Sequence, residues 1–123
     1  MRLTRKKVMI VEDETIFAMS LVELLGLWGY DVIKPVSSGE GAISTAEKEQ
    51  PDIIIMDVGL KGPMDGIEAA ARIREKLAVP VIFISGYEYE GMSERIGKVV
   101  PSVFLNKPLD TASLRANIER LLS

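Results

Sequence analysis

With no cysteine and no histidine in 123 residues, any chemistry in this chain must come from carboxylates, lysines and hydroxyls. That removes disulfides, thiolate metal sites, thiol nucleophiles, the usual general base and the commonest zinc ligand. The groups that are left are not scattered. Glu12-Asp13-Glu14 follows the apolar run Val8-Met9-Ile10-Val11, and Asp57 closes Ile53-Ile54-Ile55-Met56. Ser85 ends Val81-Ile82-Phe83-Ile84, and Lys107 follows Val103-Phe104-Leu105-Asn106. Taken singly, each has a plain explanation. Acids favour the N-terminus of a following helix, Ser85 is a turn residue, Lys107 is a solvated charge and Asp57 marks the end of a run. Their coincidence at the same kind of place, the carboxyl end of a short apolar run, points to a shared site.

Carboxylates brought together repel one another and call for a cation. Hard oxygen ligands, without His or Cys, suit Mg2+ and not zinc. Mg2+ favours one or two carboxylates together with phosphate oxygens, and a lysine beside a hydroxyl supplies donors for an anion. The chemistry indicated is that of a phosphoryl group next to Mg2+. Asp57, the most central of the acids, is the candidate nucleophile, because aspartyl phosphate is an established kind of intermediate.

The elements that must position these groups follow from the pattern of apolar residues. Pro51-Asp52 opens and Asp57 closes a run without alternation, which reads as a strand buried on both faces at the centre of a parallel sheet. Lys7–Val11 is a second such strand. From Thr15 the period becomes helical, with Phe17, Leu21, Leu24, Leu25 and Trp28 on one face and Gly29 placed to end the helix. Tyr30 to Val36 reads as a strand, Ser37-Ser38-Gly39 as a turn, and Gly41 to Glu49 as a helix with Ala42, Ile43 and Ala46 inward. After a glycine-rich loop from Val58 to Met64, Asp65 is the N-cap of a helix running to about Leu77. Pro80 opens the strand Val81–Ser85. The stretch from Gly86 to Pro101, with an internal glycine and few inward apolar positions, predicts at most a short helix near Ser93. Val103–Asn106 is the last strand, and Asp110 caps a helix with Leu114, Ile118 and Leu121 facing in.

Strand and helix alternate five times. That predicts one doubly wound α/β domain over residues 1–123, a five-stranded parallel sheet with right-handed crossovers and helices on both faces. In such a sheet every strand's carboxyl end lies on one rim, where ligands bind. Glu12, Asp13, Asp57, Ser85 and Lys107 would then meet.

The bulk properties narrow the function further. The composition, 47% hydrophobic and 27% charged, is that of an ordinary globular domain. A net charge of -3 argues against direct nucleic-acid binding. Arg2, Arg5, Lys6 and Lys7 make a basic start with no apolar stretch after it, so this is a solvated terminus and not a signal peptide. No segment has the length of a membrane span, and a cytoplasmic protein is expected.

Val-Glu-Asp-Glu at 11–14, Met-Asp at 56–57, Met-Asp-Gly-Ile-Glu-Ala at 64–69 and Phe-Leu-Asn-Lys-Pro at 104–108 occur in order through nearly the whole chain. In these motifs the sequence resembles the chemotaxis-regulator-like receiver domain of two-component response regulators. The resemblance implies a flavodoxin-like sheet of order 2-1-3-4-5. It implies Asp57 as phosphoacceptor and Mg2+ held by Asp13, Asp57, the carbonyl of Gly59 and, mainly through water, Glu12. Lys107 would pair with a phosphoryl oxygen across a cis bond to Pro108, Ser85 would hydrogen-bond the phosphoryl group, and Phe104 would change rotamer on activation. The partners implied are a histidine kinase or histidine phosphotransfer protein and a downstream protein target. The chain itself would be no enzyme beyond assisting its own phosphorylation and dephosphorylation, and a monomer or a weak phosphorylation-dependent dimer.

The departures are a loop after Asp57 that is one residue longer, with Lys61-Gly62-Pro63, Gly86 where alanine is frequent, and Phe104 where tyrosine is frequent. Phe83-Ile84-Ser85-Gly86-Tyr87 is also similar to a pattern in a subset of single-domain receivers. Two other readings stand beside this one. An aspartate-nucleophile phosphatase of the haloacid dehalogenase type needs Asp-x-Asp, whereas Val58 and Gly59 follow Asp57 here. A pseudo-receiver that is not phosphorylated would have no use for the full acidic set with Ser85 and Lys107.

Overall fold

The computed structural model describes residues 5–123. Of the basic start, Arg2 lies outside them, while Arg5 and Lys6 are exposed. Lys7 departs from the expectation of a solvated charge. Its amide donates to the Asp52 carboxylate at 2.7 Å and its ammonium to the Glu49 carbonyl at 3.0 Å, so it fastens the first strand to the end of the second helix.

Ten elements alternate: β1 (Lys7–Val11), α1 (Thr15–Leu27), β2 (Asp31–Val32), α2 (Gly39–Glu49), β3 (Ile53–Asp57), α3 (Gly66–Arg74), β4 (Val81–Ser85), α4 (Met92–Gly97), β5 (Ser102–Asn106) and α5 (Thr111–Leu122). The strands form one sheet in the order β2-β1-β3-β4-β5, with every pair parallel. The continuous apolar runs follow from this layering, because successive side chains point to opposite faces and both faces are covered. Val8, Ile10, Ile53, Ile55, Ile82 and Ile84 pack with Leu21 and Leu25 of α1 and Leu114 and Ile118 of α5. Met9, Val11, Ile54, Met56, Val81 and Phe83 pack on the other face with Ala42 and Ala46 of α2, Ile67 and Ile73 of α3, and Met92 and Ile96 of α4.

Helix ends follow local chemistry. Gly29, with φ of 94°, receives the chain as α1 stops. Its amide donates to Gly26 and that of Tyr30 to Leu25, the double bond of a glycine-terminated helix. Asp65 and Asp110 cap α3 and α5 through their side chains, as expected. Helix α2 begins two residues earlier than expected, because Ser38 is not part of a free turn but accepts from the Gly41 amide at 3.0 Å. Helix α3 closes at Arg74, short of Leu77, and its last turn tightens so that the Lys76 amide reaches Ile73.

The largest difference from expectation is β2, which is a strand only at Asp31–Val32 and not from Tyr30 to Val36. The chain leaves the ladder at Lys34-Pro35, where proline has no N–H to give. Pairing returns at one bridge, Val36 to Val11. Helix α4 is the short helix expected near Ser93, and it differs in its start and its inward face. Gly91 is not inside it but at its N-cap, with φ of 91°, and Met92, Ile96 and the following Val99 are all buried.

Candidate functional site

The carboxyl ends of β1 and β3 stand side by side at the middle of the sheet, and the chain leaving β5 returns over them. Glu12 follows the last residue of β1, Asp57 is the last residue of β3, and Lys107 follows the last residue of β5. Glu12, Asp13 and Asp57 each offer a carboxylate oxygen to one place, all within 4.8 Å of one another. Glu12 is 2% exposed and Asp57 6%, so neither acid is solvated as a surface carboxylate would be. The position of Asp57 depends on Gly66, because a Cβ there would run into the Asp57 backbone carbonyl oxygen. The start of α3 can press onto the end of β3 only with glycine at that point.

Each acid is held by its own set of donors. Glu12 accepts from the Glu14 amide at 2.9 Å and from the Lys107 ammonium at 3.0 Å. Asp57 accepts from the Gly59 amide at 3.2 Å. Asp13 accepts from the Lys61 amide at 2.9 Å, so the lengthened loop after Asp57 folds back onto the acidic cluster. Lys107 lies 3.9 Å from both Asp57 and Glu14, and 4.6 Å above the Phe17 ring. Its bond to Pro108 is cis, as expected, and the bond between Val100 and Pro101 is cis as well.

Three carboxylates against one ammonium leave the cluster with excess negative charge. Burial pushes the Asp57 carboxyl above its ordinary value, with the charge of Asp13 adding to it, and Lys107 offsets only part of this. Glu12 is raised likewise, first by burial and also by Asp57, against the pull of the Glu14 amide and Lys107. Burial alone would lower Lys107, but Glu12 and Asp57 more than reverse that and hold the ammonium charged. A cluster of hard oxygen donors, short of positive charge and lacking nitrogen or sulfur, fits a hard divalent cation.

Neither Ser85 nor Phe104 joins the cluster. Ser85 is 1% exposed, and its hydroxyl turns to its own loop, donating to the Tyr87 carbonyl at 2.7 Å and accepting from the Tyr87 amide at 3.1 Å. Phe104 sits mid-strand in β5, half-buried and in register with Phe83. Gly59 is covered by Tyr87, whose hydroxyl lies 3.0 Å from where a Cβ on Gly59 would be. The backing of Asp13 by Lys61 and the cover from Tyr87 went unread in the sequence. The longer loop was the one signal for the first, and no spacing signals the second.

Residues 8–119 match the family profile described as response regulator receiver domain. The chain belongs to that family. Over 118 residues this receiver is 32% identical to the transcriptional regulatory protein PdtaR of Mycobacterium tuberculosis, covering 96% of this chain and 57% of that protein. It is 33% identical to the alkaline phosphatase synthesis transcriptional regulatory protein PhoP of Bacillus subtilis over 95% of this chain and 48% of that one. The receiver thus spans about half the length of these curated relatives. Its structure superposes on the signal receiver domain of a modulated diguanylate cyclase from Desulfovibrio desulfuricans G20 with a TM-score of 0.89 at 34% identity, over 97% of this chain and 94% of the other. The flavodoxin-like order 2-1-3-4-5 and the family expected from the motifs both hold, and the haloacid dehalogenase reading is set aside. No helix among the described residues is long and apolar enough to cross a membrane.

Proposed function

We propose that residues 1–123 act as one receiver in the cytoplasm, and that Asp57 takes a phosphoryl group from a phosphohistidine of a histidine kinase or phosphotransfer protein. The N–P bond breaks as an O–P bond to the Asp57 carboxylate forms. The observation that carries this is the meeting of Glu12, Asp13 and Asp57 within 4.8 Å, with Lys107 on Glu12 and 3.9 Å from Asp57. Asp13, Asp57 and the Gly59 carbonyl would hold Mg2+, and Glu12 would act on it through water. When bound, Mg2+ supplies the charge neutralisation that lets the carboxylates and phosphoryl oxygens approach.

The residues of the chain do the rest. The Gly59 amide fixes the Asp57 carboxylate, and the buried strand behind it removes freedom of direction. Lys107 moves from Glu12 toward a phosphoryl oxygen, a short displacement because it already lies between the two acids. The Ser85 hydroxyl leaves Tyr87 for another phosphoryl oxygen, and the Phe104 ring turns toward the space that opens. The face of α4, β5 and α5 changes and binds a downstream protein. The kinase or phosphotransfer protein meets Ile16 and Met19, which are 88% and 54% exposed on α1 just beyond the acidic cluster. Helix α1 carries a further exposed apolar residue, Leu27, at its far end.

Incubation with Mg2+ and acetyl phosphate, read by intact mass, tests the reading. One phosphoryl group is expected, stable in acid and labile in base, absent without Mg2+ and absent in Asp57→Asn. Undiminished labelling of Asp57→Asn contradicts the assignment. A chain that takes up no phosphoryl group from any donor is a pseudo-receiver.

A further inference from the structure

The shortest ion pair among the described residues is not in the acidic cluster but between α4 and α3. Arg95 Nη1 donates to Asp65 Oδ2 at 2.7 Å, and Nη2 to Oδ1 at 3.0 Å, a two-point contact across thirty positions of sequence. The same guanidinium donates to the Tyr89 hydroxyl. Asp65 already has a task, accepting from the Glu68 amide at 2.9 Å as the N-cap of α3. Burial pushes its carboxyl up, yet Arg95 and the Glu68 amide outweigh that and hold it below the usual carboxylate range. Charge-assisted forks of this kind are among the stronger hydrogen-bonded pairs.

Helix α4 has little else to fix its place. It is six residues long, and its N-cap Gly91 offers no side-chain hydrogen bond. A helix of that length does not stand on local propensity, so its position is set by Met92, Ile96 and the Arg95 pair. Two lines of contact from the site end on that same arginine. One runs from Asp57 to Gly66, which lies against the Asp57 carbonyl and donates to Val58, and so to Asp65. The other runs from Ser85 to the backbone of Tyr87, from its ring to that of Tyr89 at 6.3 Å, and from the Tyr89 hydroxyl to Arg95. The pair is releasable, because its side chains are 40% and 32% exposed and water can take up both partners when they part.

We propose that Arg95 is a latch: its fork on Asp65 holds α4 in the unphosphorylated position, and parting of the two is the step by which a phosphoryl group on Asp57 frees α4. This rests on the phosphoacceptor reading above. Arg95 is a positioning residue that acts through Asp65 and touches no reacting atom. An interaction present in one state only shifts the balance toward that state, and its removal raises the affinity of a ligand selective for the other state by up to the same factor.

The test uses the whole chain with beryllofluoride and Mg2+ as the phosphoryl mimic, comparing wild type with Arg95→Gln, Asp65→Asn and the double variant. Asn caps a helix about as well as Asp, so Asp65→Asn removes the charge and the two-point fork and leaves the cap. Each single variant is expected to raise amide exchange over residues 92–97 without the mimic, and to bind the mimic about tenfold more tightly. The double variant should go no further than either single one. Arg95→Lys, which keeps the charge and loses the fork, should fall between, and it serves if Arg95→Gln does not fold. Faster exchange with mimic affinity unchanged or weakened makes the pair a structural tie and overturns the latch. A wild-type chain that does not bind the mimic overturns the phosphoacceptor reading itself, and the latch with it.

Discussion

The two sides of this sheet are held by different means. At β1 and β3 the backbone places the groups, with every residue from Val8 to Glu12 and from Ile53 to Val58 buried. Beyond β4, which is equally buried, side-chain hydrogen bonds do more of the placing around α4 and β5. Ser85 holds Tyr87, Arg95 holds Asp65, and β5 runs half-buried at the edge. The first side carries carboxylates whose charge is unfavourable until a cation arrives, and it must not move, since phosphoryl transfer depends on alignment. The Arg95 pair on the second side is partly exposed, so water can take up both partners when they part, which suits a population shift. On the proposed function, one sheet supplies both a fixed acceptor and a mobile signal.

The largest expected contrast is in stability. Ile55→Ala removes a fully buried side chain from the central strand and should cost about 3–4 kcal/mol, whereas Val103→Ala on half-buried β5 should cost about 1 kcal/mol, both read by urea denaturation. Similar losses would remove the distinction between a rigid and a lightly held side.

Next comes Asp65→Ala, which loses the α3 cap and the Arg95 pair together and should cost about 1.5–2 kcal/mol at neutral pH. The folded-state value of this carboxyl is lowered, so its contribution is present above the unfolded value and is lost as pH falls through the folded one. Wild type and Asp65→Ala should converge in acid, and a gap that does not depend on pH would mean that Asp65 acts by shape and not by charge.

Ile16→Asp bears on the fixed side from outside. It should slow phosphoryl transfer from the cognate kinase about tenfold, roughly 1.4 kcal/mol, and spare labelling by acetyl phosphate. Equal loss in both assays would indicate damage to the fold at α1 and no docking role.

The smallest effect has the opposite sign. Without divalent cation, Asp57→Asn should stabilise the chain by about 1 kcal/mol, because burial and the charge of Asp13 penalise the charge on Asp57. Here the folded-state value is raised, so the penalty is present above it and fades as pH falls through it toward the unfolded value. The advantage of the variant should shrink over that interval. A destabilised Asp57→Asn at neutral pH would mean that Lys107 and the Gly59 amide already compensate the carboxylate.

The difference between the two sides also governs what the sequence could tell. Glu12, Asp13, Asp57 and Lys107 were legible as a group because strands buried on both faces have an unmistakable pattern, and their ends share one rim. The caps at Asp65 and Asp110 and the glycine stop at Gly29 were legible because a few adjacent residues determine them. What depended on distant partners was not. Tyr30 to Val36 has a strand's composition, but Pro35 breaks the ladder of an edge strand with little else to hold it. Gly91 looked like a weak point inside a helix and is instead its start. The fork between Arg95 and Asp65, thirty residues apart, leaves no periodic trace in the chain, and the turn of Ser85 toward Tyr87, though local, leaves none either.

The claim that one side stays fixed while the other moves is tested most directly by amide exchange on wild-type protein with Mg2+, with and without beryllofluoride. Protection should change across residues 86–101 and around Phe104 and stay constant through β1 and β3, and Ser85→Ala should uncouple the change from mimic binding. Bound mimic with unchanged exchange over 86–101, or with change centred on β1 and β3, contradicts the account.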